Sequence, residues 1–249
     1  MPAQKKIEQT DAIFAELNRI NPRADESNDT LRLSLDAKAT VKIGDYSRRG
    51  KSRAAREAAD HDFKAKETLT PYGILLPRYD DLSLYFTTSR VTSDFIVDVL
   101  SGWWEKNRGR FKGVSTLVIN QDNGPENKSR RTQFLARMVQ FARETRLLVR
   151  LAYYPPYHSK YNPIEHCWGV LENHWNGDLL DSTETALAFA RSMTWNGKHP
   201  CVELLTTVYP KGVRLSKKEM VRVEEEVLRL PELDDWFLDI PGDILPPLG

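Results

Sequence analysis

Three carboxylates are set apart by where they fall in the chain. Asp36 closes the alternating apolar run Leu31, Leu33, Leu35 in "LRLSLDAKA". Asp122 follows the apolar run of "STLVINQDNGPEN", and Glu165 opens the helical pattern of "YPPYHSKYNPIEHCWGVLENHW". Taken singly each has an ordinary explanation: a strand-end turn residue, turn chemistry, and a first-turn glutamate favoured by the helix dipole. Gathered at one end of a sheet they would do something else. Crowded carboxylates repel unless cations neutralise them, and an oxygen-only ligand set suits Mg²⁺ or Mn²⁺. Two such ions about 4 Å apart activate a water or a 3′-hydroxyl and stabilise the leaving oxygen in phosphodiester chemistry.

Rival groups carry less. Glu172 lies on the same helix face as Glu165 but two turns deeper, and reads as solvated or salt-bridged. His158, His166, Cys167 and His174 include zinc-type ligands, yet no tight ligand spacing accompanies them. Basic residues suited to DNA phosphates form two groups: Arg48, Arg49, Lys51, Arg53 and Arg56 in "SRRGKSRAAR", then Lys128, Arg130 and Arg131. A solvated, exposed loop is the competing reading for the first. The Trp103–Trp104 pair and Trp168 read as core.

The elements that must position these groups follow from periodicity. Residues 4–20 have the spacing of an amphipathic helix through Ile7, Ile13, Phe14, Leu17 and Ile20, and "NPRADESND" reads as a polar linker. "LRLSLDAKA" is a strand, with "TVKIGDYSR" expected beside it through a short turn and "LSLYFTTS" as a third. A helix over 93–107, a buried strand ending at Asp122, a helix over 130–146 and the strand "LLVRLAYY" come next. Asn162 is expected to cap the following helix, with Pro163 first and Glu165 third. Strands first and alternation afterwards predict an α/β fold: a mixed central sheet flanked by helices.

Composition sets bounds. A chain of 249 residues, 40% hydrophobic and 29% charged, can bury a full core and is ordinary for a soluble protein. No apolar run approaches the ~18–20 residues of a membrane span, so no membrane partner is expected. Two cysteines, Cys167 and Cys201, make no disulfide framework, and a reducing cytosol is the expected compartment. The net charge of +1 hides an asymmetry. Residues 223–249 carry Glu224, Glu225, Glu226, Glu232, Asp234, Asp235, Asp239 and Asp243 against Arg229 alone, so the remainder is basic and able to hold a polyanion.

The ordered set "LSLDAKA", "LVINQDNGPEN" and "YPPYHSKYNPIEHCW" resembles the DDE transposases of bacterial insertion sequences, of the Rhodopirellula type, with a more distant likeness to mariner-like enzymes in "NPIEHCW". "HDF", "PYGI", "SDFIVDVLSGWW" and "YPKGVRLSKKEM" support it, over residues 30 to 240. The resemblance implies an RNase H-like fold and maps the catalytic, metal-binding triad onto Asp36, Asp122 and Glu165, with Mg²⁺ or Mn²⁺ as two ions per site. Asp45 in "IGDY" matches the family's second strand instead. Lys160 and His166 are then expected to position the scissile phosphate. The implied organisation is an N-terminal helix and linker over 1–30, a catalytic domain over 31–222, and an acidic extension over 223–249 packing on it. The implied partners are duplex DNA, both transposon ends and target, and further copies of the chain on that DNA; the implied location is the bacterial cytoplasm, at the nucleoid. Segment 1–30 stands where the family usually carries a helix-turn-helix region. That keeps a second expectation open, a catalytically silent truncated copy that binds DNA or a full-length transposase as a regulator. A nuclease acting on RNA–DNA hybrids shares the metal site.

Overall fold

The computed structural model describes residues 7–44 and 67–243. In chain order its elements begin α1 (Thr10–Glu26), β1 (Thr30–Ala37), β2 (Val41–Ile43), β3 (Glu67–Leu76) and β4 (Asp81–Thr87). They continue α2 (Ser93–Asn107), β5 (Thr116–Asp122), α3 (Thr132–Thr145), β6 (Leu148–Tyr154), α4 (Ile164–Trp175) and α5 (Thr183–Ser192). Last come β7 (Cys201–Leu205), α6 (Lys217–Glu224), β8 (Leu228–Arg229) and β9 (Phe237–Ile240). The strands form a mixed sheet and helices pack on it, as the element order predicts. Two compact units can be distinguished: Met1–Ser34 with Thr92–Asn162 and Tyr209–Gly249, and Leu35–Val91 with Pro163–Val208.

In the first unit the strand order is β1-β5-β6-β9-β8. Thr30–Ser34 of β1 run parallel to Thr116–Asn120 of β5, and β5 runs parallel to β6 from Thr116↔Leu148 to Asp122↔Tyr154. Leu117, Val118 and Ile119 are buried in succession, the signature of a strand covered on both faces. Helix α1 buries Ile13, Leu17, Ile20 and Ala24 along one stripe. It does not end near Ile20 as the sequence predicts, but runs through Pro22 to Glu26. A proline inside a helix costs about 3 kcal/mol. Tertiary contacts offset it: Ala24 extends the buried stripe, Asn21 accepts a hydrogen bond from Asn120 at 3.1 Å, and Asp25 pairs with Arg32 at 2.5 Å. The acidic end of the chain is built into this unit. Trp236, Phe237 and Leu238 are buried, while Asp239 pairs with Arg150, Glu226 with Arg143 and Glu224 with Arg229.

In the second unit the order is β7-β4-β3, followed by the end of β1. Two expectations need correction here. Strand β2 pairs antiparallel with β3, Val41↔Leu69, and not with β1. Val41 and Ile43 are both buried in the cluster that holds Leu69, so burial decides the partner over proximity along the chain. Strand β3 itself is absent from the sequence reading, because Pro71 and Gly73 resemble turn punctuation. Both have strand uses. The Pro71 carbonyl accepts from the Lys38 amide at 2.9 Å. Gly73 lies under α4, where a Cβ would meet Ile164 Cδ1 at 2.6 Å and Trp168 Cη2 at 2.9 Å. Ile164, Trp168, Leu171 and Trp175 form the predicted apolar stripe of α4, all buried.

Gly73→Ala should therefore destabilise the chain by about 1–3 kcal/mol through overpacking, read as a lower urea midpoint at unchanged slope. An unchanged or higher midpoint would show that α4 does not seat this closely.

Candidate active site

Asp36 is the penultimate residue of β1, and its carboxylate Oδ2 accepts a hydrogen bond from the Trp168 indole Nε1 at 2.7 Å. Lys38 pairs with Glu172 at 2.8 Å. These contacts form two rungs between a strand and a helix: residues i and i+2 of a strand lie about 6.6 Å apart, and i and i+4 of a helix about 6 Å. Glu165 stands one turn before Trp168, half-buried, in the first turn of α4. The second unit thus holds both Asp36 and Glu165 and ties the first to the helix that carries the second. Glu172, the rival carboxylate, is committed to Lys38. Asn162 does not cap α4 as expected. Its side-chain oxygen accepts from Ser34 Oγ at 2.5 Å, the helix begins at Ile164 without a side-chain cap, and Glu165 is its second residue.

Asp122 ends β5 in the first unit, followed by a loop knotted by its own amides. Asn127 Nδ2 donates to the Asp122 carbonyl and to Gln121 Oε1, both at 3.0 Å. Tyr153 OH donates to the Asn127 carbonyl at 2.8 Å, and Asn123 Oδ1 accepts from the Ser129 amide at 3.1 Å. A Cβ on Gly124 would stand 2.8 Å from Asn127 Oδ1 and 3.3 Å from Asp122 Oδ1, so glycine leaves room for the carboxylate. Burial holds the Asp122 carboxyl above the usual aspartate range, opposed by the Asn127 hydrogen bond. Gly124 and Asn127 were missed in the sequence, although "DNGPEN" is the turn signal that marks them.

The basic candidates divide. Arg48, Arg49, Lys51, Arg53 and Arg56 lie outside the described residues. Lys128 is exposed. Arg130 is ion-paired with Asp234 at 2.6 Å and with Asp235, and Arg131 with Glu126 at 3.2 Å. Lys160 and His166 are exposed, and the Lys160 amine lies 5.1 Å from the centre of the Tyr161 ring. Three residues before Lys160, Tyr157 adopts a left-handed backbone, φ 65°, with its side chain exposed. That conformation is unfavourable for a bulky residue and has no sequence signal.

Among the described residues no group of three or more His, Cys, Asp or Glu side chains is gathered to hold a metal ion. Burial pushes the Cys167 thiol up to about 12, so it stays protonated at neutral pH. His174 engages Ser192 Oγ at 2.9 Å, and buried His158 engages the Pro156 carbonyl at 2.8 Å. What Asp36, Asp122 and Glu165 offer is carboxylate oxygen, the donor chemistry of hard divalent cations.

Comparison with known proteins adds a family and a fold. The sequence profile of the Rhodopirellula transposase DDE domain matches residues 1–241. Curated proteins give no significant sequence match. Among solved structures, the Mos1 transposase paired-end complex with left transposon end is similar at a TM-score of 0.50 and 11% identity. The Mos1 mariner paired-end complex with Mn is similar at 0.52 and 12%. Each match covers 74% of this chain and 54% of the Mos1 chain, so this chain spans about half the length of that relative. Such identities speak to fold, here the RNase H-like DDE fold. No helix among the described residues is long and apolar enough to cross a membrane.

The raised carboxyl of Asp122 has a consequence for stability. The folded chain keeps that proton to higher pH than the unfolded chain does, so stability falls as pH rises through the window, and the penalty persists at neutral pH. Asp122→Asn should therefore melt above the parent at pH 7 in the absence of divalent ions. The gap should close as pH falls below the ordinary aspartate value of about 3.9. A variant that melts lower at pH 7 would show that the hydrogen bonds of the carboxylate outweigh its burial.

Proposed function

We propose, from the premise that this chain belongs to the Rhodopirellula transposase DDE domain family, that it cuts and joins DNA strands through a divalent-metal site made by Asp36, Asp122 and Glu165. One observation carries the reading. In the first unit the parallel ladder of β1 and β5 ends at Ser34↔Asn120, and each aspartate lies two residues further along its own strand. Parallel strands about 4.8 Å apart and continued in register bring such residues level. The attachment of Asp36 to α4 through Trp168, one turn from Glu165, supports the third member.

Asp36 and Asp122 would hold Mg²⁺ or Mn²⁺ jointly, as two ions, and Glu165 would complete the set. When bound, such ions generate the attacking hydroxide or 3′-oxyanion and neutralise the leaving oxygen. Ionised carboxylates repel one another, so the three are expected to gather only with cations present. The Trp168 indole fixes the rotamer of Asp36. Asn127 ties down the backbone at Asp122 and Gly124 leaves room for its carboxylate, which would reduce the ordering needed when cations and DNA arrive. Lys160 and His166 would bind a phosphate of the strand to be cut. Lys128, and Arg130 once it exchanges Asp234 and Asp235 for phosphate, would hold flanking backbone, with the basic segment at 48–53 as a second contact. The expected partner is duplex DNA, element ends and target, with more than one copy of the chain on it. Binding of this kind weakens steeply with salt and selects sequence weakly.

Nicking or strand transfer on element-end duplexes is expected with Mg²⁺ or Mn²⁺ and not with chelator. Asp36→Asn, Asp122→Asn and Glu165→Gln should each lower the rate at least a thousandfold, the order of effect for an essential catalytic group, with duplex binding within about twofold of the parent. Asp45→Asn should leave the rate unchanged. Full activity in Asp36→Asn sinks the mechanism, and loss in Asp45→Asn transfers the role. Salt-sensitive binding with no chemistry under either ion would support the silent DNA-binding reading, and preference for an RNA–DNA hybrid the nuclease reading.

A further inference from the structure

Beside the end of β6 the first unit contains a cavity of about 310 Å³ that the proposed chemistry does not use. Its lining is Phe14, Leu17, Asn18 and Asn21 from α1, with Tyr154 and Tyr161. Leu17 and Tyr154 are buried. The Phe14 and Tyr161 rings meet edge to face, centroids 5.1 Å apart at 75°, and the Tyr161 ring is further braced by stacking on His158 at 6.0 Å and 22°. Tyr161 is nevertheless 49% exposed, an aromatic face held rigidly toward solvent. At about the lower end of the 300–1,000 Å³ range of small-molecule sites, the cavity suits one flat heterocycle and is too small for a duplex.

Resting on the transposase reading, we infer that this cavity takes a single unstacked nucleobase of the DNA beside the phosphate that is cut. Aromatic faces with amides at the edge are the chemistry that stacks an extruded base and reads its hydrogen-bonding groups. Asn18 supplies the exposed amide, while the Asn21 oxygen already accepts from Asn120 and Asn21 contributes wall. The Lys160 amine above the Tyr161 ring supplies a cation for the phosphate attached to that base. Position argues for the same occupant. Tyr154 is the register partner of Asp122 on the adjacent strand, about 4.8 Å away in the ladder, so one wall of the cavity stands one strand from a carboxylate assigned to the metal ions. The Asn18 amide and the Lys160 cation at the rim favour a nucleotide over an apolar protein anchor, which would desolvate them and offer no polar group in return.

The test uses the full chain and fluorescence anisotropy. The probes are a labelled duplex with a four-thymidine 3′ overhang, the same with a 5′ overhang, and each with the overhang bases removed as abasic sites. The parent is expected to bind at least one base-bearing overhang about tenfold more tightly than its abasic counterpart, the effect of one stacked base. Tyr161→Ala and Asn18→Ala should narrow that ratio toward one with the plain duplex still bound, and Tyr161→Phe should keep it. Circular dichroism melts of the variants check folding. Equal affinity of the parent for base-bearing and abasic probes, with duplex binding intact, overturns the cavity assignment and leaves the transposase reading standing. A Tyr161→Ala variant that breaks up a dimer without touching the ratio overturns it in favour of a second copy as occupant. Failure of every probe to bind, with no metal-dependent chemistry, removes the reading on which the inference rests.

Discussion

The close seating of α4 on β3 at Gly73 governs the second unit. With no Cβ at that position, Ile164 and Trp168 descend to a depth that any other residue would block. Only at that depth does the Trp168 indole reach the Asp36 carboxylate, four residues along the helix from the Ile164 contact. One side chain then serves packing and polar positioning together. Its six-membered ring fills the space over glycine, and its N–H finds the partner that a buried indole requires. The Lys38–Glu172 pair repeats the spacing one turn later and fixes the register of helix against strand. Glu165 inherits its level from the same contacts.

In the first unit the corresponding constraint is electrostatic. Asp122 lies half-buried at the end of a strand covered on both faces, and burial disfavours its charge. The loop that follows spends Asn127, Asn123 and Gly124 on holding that region in one arrangement. Its burial separates Asp122 from an ordinary turn aspartate, which would sit in water. The same loop is bound from the other side by the end of the chain. Arg229 donates to the Ser129 carbonyl at 3.0 Å, Asn123 donates to the Asp235 carbonyl at 3.4 Å, and Arg130 meets Asp234 and Asp235. The acidic segment is structural to that extent, and it occupies a cation that DNA would also attract.

Much of this was legible in the residues. The strand ending at Asp36, the strand ending at Asp122 and the stripe of α4 follow from periodicities of two and 3.6, and burial enforces both. What escaped had a tertiary cause. Pro22 lies inside α1 because Ala24, Asn21 and Asp25 find partners far along the chain, and no local propensity encodes that. Strand β3 was hidden because Pro71 and Gly73 are punctuation in isolation, and their strand roles appear only once Lys38 and α4 are in position. Asn162 carries every mark of a helix cap, yet Ser34 claims its oxygen. Trp168 was read correctly as core, but its hydrogen bond to Asp36 has no signature in sequence.

The central claim is that Asp36, Asp122 and Glu165 act as one set of ligands. Diffraction from crystals soaked in Mn²⁺, collected at the manganese edge, tests it most directly. The account predicts anomalous density at the carboxylates of Asp36, Asp122 and Glu165. Manganese bound at Glu172 or at the acids of the C-terminal segment, with Asp36 and Asp122 bare, would contradict it.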